Sequence, residues 1–536
     1  WQRKLAGTRS CILFAPETLL DCDGAVAADI YAGVFNLAGQ SVDSAGRSPF
    51  AVTPPSDEWE RALHGFSWLV HLEANASELS STNARALCEE WLGAKSAQSR
   101  RAQEPAVTAA RLTAWLVESP LLLAGADAGF RPAFLRALGR HPRRLERAAT
   151  RLPPSLAKVE VVIALALAGT VLADQTRLQR WALSYLGELL RAQVLPDGGH
   201  LSRNPEALVS LLSLLVPVRE ALVRRQQPIP PQIGGAIDKM LPMLRFFTHA
   251  DGHLAAFHGA RPVAMRVLKA LDGYDDIKGT ASENARYSGF QRLEAGETAV
   301  LLDTGIAPPP AFASEAYASA LALEISHGRH RIVTGCGALG EAQPVWADAA
   351  RATAAQSTLT LADRSSARTL NLWPLTRALG PVLFSGPRAV EVTREALGVR
   401  AVQDGYRNHF GILHERALAL SDDGLWLDGA DRILGQDKLS GQAFAIRFHL
   451  FPGIRVRLDK ARRNAMLRLS DGALWMFGID EGPTLALEDT IVLAEPNKTR
   501  VEFEIQGMKG VQSFDGESGW QIMPFMGSTE PEEMPA

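Results

Sequence analysis

From about residue 58 to residue 285 the apolar positions recur at helical spacing. Glu58 to Glu73 carries Trp59, Leu63, Phe66, Leu69 and Val70 on one face. The stretches 82–102, 106–118, 130–148, 154–174, 175–193, 205–225, 231–247 and 260–271 repeat this pattern. Prolines and glycines punctuate them at Pro120, Pro132, Pro153-Pro154, Pro196-Asp-Gly-Gly199 and Pro228 to Pro231. Similar helices on short loops predict a multi-helical layer curved into an incomplete α/α toroid. Residues 1–55 are assigned to this half as its N-terminal segment. After residue 285 the period changes to two, as in Thr298–Leu302, Ala320–Ile325, Arg331–Thr334, Ser357–Leu361, Ile412–Leu420, Leu425–Ile433, Phe444–Leu450, Ala465–Leu469 and Arg500–Ile505. Short strands between turns such as Ser421-Asp-Asp-Gly424, Ser440-Gly441 and Ser470-Asp-Gly472 predict an antiparallel β-sandwich. The expected division is a helical domain, 1–285, followed by a β domain, 286–536.

A chain of 536 residues exceeds one ordinary core and agrees with more than one domain. Lys+Arg is 56 against 59 for Asp+Glu, a formal net charge of -3. That argues against nucleic-acid binding through bulk positive charge. The longest apolar run, Val161 to Ala173, is too short to span a bilayer, so no membrane insertion is expected. No signal peptide is visible in the chain, which leaves a cytoplasmic or periplasmic setting as the expectation. The four cysteines, Cys11, Cys22, Cys88 and Cys336, form no CxxC pair, which argues against a thiolate zinc site.

Two polar constellations stand out. In the β half, a turn centred between Asp422 and Asp423 pairs His414 with Asp431, and a turn centred on Ser440 pairs Asp431 with His449. The three side chains would then form one row across adjacent strands, about 5 Å apart at each step. Two imidazoles and a carboxylate suit Zn²⁺; the plainer reading is a buried His–Asp–His hydrogen-bond ladder. Arg416 and Arg447 fall on the same face by the period of two and could wall a cleft with positive charge. In the α half, Pro196-Asp-Gly-Gly-His-Leu-Ser-Arg-Asn-Pro205 interrupts two apolar helices. Its His200, Arg203 and Asn204 crowd the start of a helix. They read either as helix punctuation, with Asn204 as N-cap and Pro205 at N1, or as donors to an anionic group. A second loop, His249-Ala-Asp-Gly-His-Leu-Ala-Ala-Phe-His-Gly259, holds three histidines.

With these motifs, joined by Ala350-Arg-Ala-Thr-Ala-Ala-Gln-Ser-Thr358, Phe410-Gly-Ile-Leu-His-Glu-Arg416 and Arg447-Phe-His-Leu450, the chain resembles the heparinase II/III-like polysaccharide lyases over nearly its whole length. The resemblance implies an α/α toroid followed by a β-sandwich, an acidic oligo- or polysaccharide as partner, and cleavage of a uronate-containing glycan by β-elimination between the halves. It also implies a Zn²⁺ or Ca²⁺ ion in the sandwich of some members. By motif position Asn204, with His200 or Arg203, looks like the neutraliser of the uronate carboxylate, and Arg351 a substrate-binding residue. The chain departs from the family pattern at Gln356, where a histidine is expected; an amide cannot shuttle a proton. The toroid tyrosine has no secure match, leaving His258, Tyr287 and His414 as further candidates for the proton chemistry, beside Tyr274 and Tyr406. Three readings stay open: an active lyase, a catalytically impaired glycan-binding relative, and a helical scaffold with a β interaction domain.

Overall fold

The computed structural model describes residues 11–19, 22–75, 78–274, 283–338, 344–370, 382–435, 443–480, 484–492, 500–507 and 517–524. The fold class is the one the periodicities predict. Helices Asp57–Gly65, Glu78–Gly93, Pro105–Val117, Phe130–Ala149, Leu156–Val171, Thr176–Gln193, Glu206–Arg224, Pro231–Phe246 and Met265–Gly273 make up the first half. The Ser56 hydroxyl caps the first by accepting from Trp59 N, and the Ser155 hydroxyl caps Leu156–Val171 by accepting from Lys158 N. Beyond Glu160, helix Leu156–Val171 is apolar nearly all round because it is the central helix, packed against Pro105–Val117, Thr176–Gln193 and Glu206–Arg224. The N-terminal segment departs from an all-helical reading: Val34–Leu37 and Gln40–Asp43 pair as a small antiparallel hairpin.

Among the described residues the β half has a small antiparallel pair, Arg368–Leu370 with Val382–Ser385, and two large antiparallel sheets. One has eight strands, running in space from Val390–Arg394 through Gly398–Gln403, Ile412–Leu420, Leu427–Gly435, Glu517–Pro524, Leu474–Ile479 and Asn464–Arg468 to Arg455–Leu458. The other has nine, and Phe444–Leu450 lies in its middle, paired with Arg500–Gly507, His330–Thr334 and Leu359–Leu361. Between the sheets lie Ile325, Ile332, Phe448, Phe477 and Trp520, with the Phe448 ring 4.8 Å from the rings of both Phe477 and Trp520. Gly429 is required here: a Cβ would sit 2.1 Å from the Trp520 ring.

The helical core continues onto the outer face of the nine-stranded sheet. Phe290 and Leu301 belong to the same apolar cluster as the helices, and the Phe290 ring meets Phe247 at 4.8 Å and Phe257 at 5.3 Å. The two halves are therefore joined by apolar packing as well as by the polar contacts described next. No helix among the described residues is long and apolar enough to cross a membrane.

Candidate active site between the halves

The loop after helix Thr176–Gln193 carries the first polar motif onto the sheet. Asp197 accepts from Tyr287 N and Ser288 N, both at 2.8 Å, which ties the loop to the start of the β half. Arg203, in the left-handed region at φ +61°, reaches across. Its guanidinium donates to Ser288 O, Ile306 O and Gly289 O and forms an ion pair with Asp303, with Phe290 beneath it at 4.6 Å. A side chain at Gly305 would collide with this guanidinium, its Cβ only 2.2 Å from Nη2. Arg203 is thus a buried rivet between the halves, its charge spent on Asp303.

Asp303 gathers more. Its second oxygen accepts from His258 Nε2 at 3.0 Å and from the Ser319 hydroxyl at 2.6 Å. Burial pushes this carboxyl up, but Arg203 and His258 outweigh it and hold it well below the ordinary range. The other ring nitrogen of His258, Nδ1, accepts from Tyr317 N at 3.2 Å. That fixes the tautomer: Nε2 carries the proton and Nδ1 has no free lone pair. Burial, then the nearby Arg203 charge, lowers the His258 pKa.

Asn204 follows at the start of helix Glu206–Arg224. Its Oδ1 accepts from Glu206 N at 2.8 Å, the expected capping bond, while its Nδ2 donates to Glu315 at 3.2 Å. Crowding by the surrounding protein and the like charge of Glu206 raise the Glu315 pKa, against the pull of Asn204, Arg261 and Arg351. Arg351 donates to the backbone oxygens of Ser314 and Ala313, just ahead of Glu315. Tyr317 donates to Gly337 O, and burial pushes its hydroxyl above the ordinary range.

A cavity of about 530 Å³ opens between helical-half residues, including His253, Arg261 and Met265, and β-half residues, including Arg331, Gly335 and Phe451. Its charges are paired: Arg261 with Glu206 within the helical half, and Arg331 with Asp251 across the walls at 2.9 Å. Gln356 lies directly behind Gly335, where a Cβ would come 3.0 Å from Oε1. It is 1% exposed, and its amide donates to Ala350 O at 2.8 Å.

His200 stays inside the helical half, with Nδ1 against Ser202 and Nε2 donating to Gln193 Oε1. Burial pushes it down to about 4. Tyr287 sits on the outer surface, 53% exposed, with Arg286 over its ring. The structure thus brings Asn204, Arg351, His258 and Arg203 to the interface, with Gln356 behind the cavity wall. It leaves His200 and Tyr287 to either side. Sequence reasoning missed Asp303, Glu315 and Tyr317; the one signal was a carboxylate closing an otherwise apolar strand at Asp303.

The expected row of His414, Asp431 and His449 is corrected. The loop between the strands runs from Ser421 to Trp426, closed by Ser421 N donating to Trp426 O, so the register places His414 opposite Ile433 and Arg416 opposite Asp431. The shift is two residues, which preserves the face. His414 Nε2 still reaches Asp431 at 2.7 Å, on the diagonal. His449 is not on a neighbouring strand. It lies in the other sheet, because Leu427–Gly435 pairs with Glu517–Pro524 instead of Phe444–Leu450. The Ser440-Gly441 turn falls outside the described residues. His449 donates to Ala354 O and also meets Thr490 and Cys336.

Both Asp431 oxygens are taken by Arg416, with His414 and Trp520 completing the shell. Among the described residues no group of three or more His, Cys, Asp or Glu side chains is placed to hold a metal ion. This donor set does not fit Zn²⁺ or Ca²⁺. The positive wall is corrected too. Arg416 is fully buried, its Nη1 on Leu321 O and Ser357 O, while Arg447 stands in the opposite sheet beside Thr360. Arg416 is held inside the sandwich, so the two guanidiniums do not form one wall.

Burial holds four imidazoles neutral: His64, His200 and His449 are pushed down to about 4 and His141 to about 3. Their folded values lie below the unfolded one, so they contribute stability above about pH 6.5 that is lost as pH falls toward 4. Glu118 and Glu160, pushed up to about 7 by burial, act in the opposite sense over part of that range. Four groups against two leave the unfolded chain with the larger proton uptake. Stability should fall by about 1–3 kcal/mol per pH unit between pH 6.5 and 5. Denaturant midpoints across that range check it; a flat or rising profile on acidification would contradict the assignment.

A sequence model of the heparinase II/III-like C-terminal region matches residues 277–521. FtsZ-localized protein C of Caulobacter vibrioides (strain NA1000 / CB15N) is 33% identical over 458 residues, 80% of this chain and 75% of the relative. The crystal structure of heparinase III superposes with a TM-score of 0.74 at 14% identity, over 95% of this chain and 86% of that one. Heparan sulfate lyase HepC from Pedobacter heparinus gives 0.58 at 17% identity, over 95% and 83%. The likeness to the solved structures is one of fold.

Proposed function

The chain belongs to the heparinase II/III-like family, and from that premise we propose that it binds an acidic, uronate-containing glycan in the cleft between its halves, with β-elimination weakened at Gln356. The C5 proton of a uronate becomes removable when the neighbouring carboxylate is neutralised, and a base and an acid must then carry the proton. Asn204 is the donor for the carboxylate, with the Arg351 charge nearby. The observation that carries the reading is Gln356: an amide hydrogen-bonded to Ala350 O stands at the position where the family motif implies a titratable imidazole. His258 does not replace it, since its Nδ1 is occupied by Tyr317 N and its Nε2 proton by Asp303.

The test is a panel of uronate polysaccharides. Each is followed for binding by calorimetry and for the ultraviolet absorbance of an unsaturated uronate product. Saturable binding with little or no absorbance rise is expected. Full lyase turnover would refute the weakened chemistry, and no binding across the panel would remove the glycan. In the latter case the helical scaffold with a β interaction domain is favoured. It draws on one observation, that the 33% identical relative is named for localisation with FtsZ.

Asn204→Asp separates recognition from folding. It keeps the acceptor for Glu206 N but replaces the amide donor with a second carboxylate beside Glu315. Affinity for the glycan should fall about tenfold to a hundredfold, the worth of a hydrogen bond to a charged group, with circular dichroism at the assay temperature showing the fold retained. Unchanged affinity would take Asn204 out of the binding site.

A further inference from the structure

A second cavity, of about 210 Å³, lies within the helical half. Helix Pro105–Val117 turns Ala106, Ala109, Ala110 and Ala114 toward it, and these small side chains leave the space open; Leu214 and Val70 close other sides. Two carboxylates also line this largely apolar wall, Glu118 and Glu160. Glu118 is 2% exposed, and its Oε1 has no hydrogen-bond partner. Among the described residues neither carboxylate is in an ion pair. A buried carboxylate without a partner is costly, and native interiors rarely keep one without use.

We propose that this cavity takes a compact ligand presenting one ammonium group, held by the Glu118 and Glu160 carboxylates, with its apolar body against the alanine wall. The volume lies below that of most drug-sized sites, which limits the ligand to one ring or a short chain. The electrostatics agree. Burial, then the charge of Glu73, pushes Glu118 up to about 7. Burial, then Glu315 and Glu206 against the pull of Arg261, does the same for Glu160. Both carboxyls are partly protonated near neutral pH, and an entering ammonium would ionise them and release protons. A free amine and an unacetylated amino sugar both present such an ammonium. The inference does not rest on the glycan reading, and uronate binding is measured separately.

The experiment titrates the full chain by calorimetry with cyclohexylamine, cyclohexanol, glucosamine and N-acetylglucosamine, in two buffers of different ionisation enthalpy. At least one amine should bind saturably with proton release, while its neutral counterpart binds at least about tenfold more weakly. Glucosamine binding would point to an amino sugar, and cyclohexylamine binding alone to a free amine. Glu118→Gln and Glu160→Gln should each weaken the amine about tenfold. Both remove a buried charge and should leave the helical circular dichroism intact. Proton release in the unsubstituted chain is read without either variant. Equal binding of amine and neutral counterpart, no saturation by either amine, or affinity unchanged in both variants would overturn the proposal.

Discussion

Replacing Gln356 by histidine is expected to raise the rate of uronate elimination by about 10²–10⁴, the usual worth of a positioned acid or base. The argument rests on volume and wiring. Glutamine and histidine are close in size, and Gln356 already holds its amide by one bond, to Ala350 O. An imidazole there can keep that bond with one ring nitrogen and leave the other toward Gly335 and the cavity. What changes is the capacity to gain and lose a proton near neutral pH. The readout is the ultraviolet absorbance of unsaturated product over a pH series, with the unsubstituted chain beside it. The variant should follow a titration that the parent lacks. A rate that does not move would take residue 356 out of the proton chemistry.

Asp303→Ala is expected to cost about 3–5 kcal/mol of stability, the range for breaking a buried ion pair from one side. Asp303 accepts from Arg203, His258 and Ser319, and Arg203 is 7% exposed. Removing the carboxylate leaves a guanidinium between the two halves with backbone carbonyls alone for company. The paired change Arg203→Met with Asp303→Leu removes both charges and should recover much of the loss, because the site then packs as an apolar joint. Denaturant midpoints of the two single variants and the double variant decide it. A loss under about 1 kcal/mol in Asp303→Ala, or a double variant as unstable as the two single losses summed, would show that the pair does not act as a unit.

Much of the fold was legible in the chain. Period 3.6 located the helices, from the capped Asp57–Gly65 onward, because a stripe of apolar side chains must face a core whatever that core contains. Period two located Ile412–Leu420 and Phe444–Leu450 to the residue. The glutamine at 356 was legible too, since residue identity needs no structure. The period also predicted that His414 and Asp431 share a face, and they touch even though the register moved by two.

What the periods do not carry is which strand lies next to which. Alternation says which side of a sheet a residue faces, and any apolar neighbour satisfies it. So the chain alone did not show that Glu517–Pro524 enters beside Leu427–Gly435, or that Phe444–Leu450 crosses to the other sheet and takes His449 with it. Partners distant in sequence were equally hidden. Arg203 meets Asp303 a hundred residues on, and Asn204 meets Glu315 further still. An arginine beside a glycine loop reads the same whether it waits for a substrate or is buried against a carboxylate. Only the tertiary structure decided that Arg203 is buried between toroid and sandwich and Arg416 inside the sandwich, and that Asn204 turns its amide to Glu315.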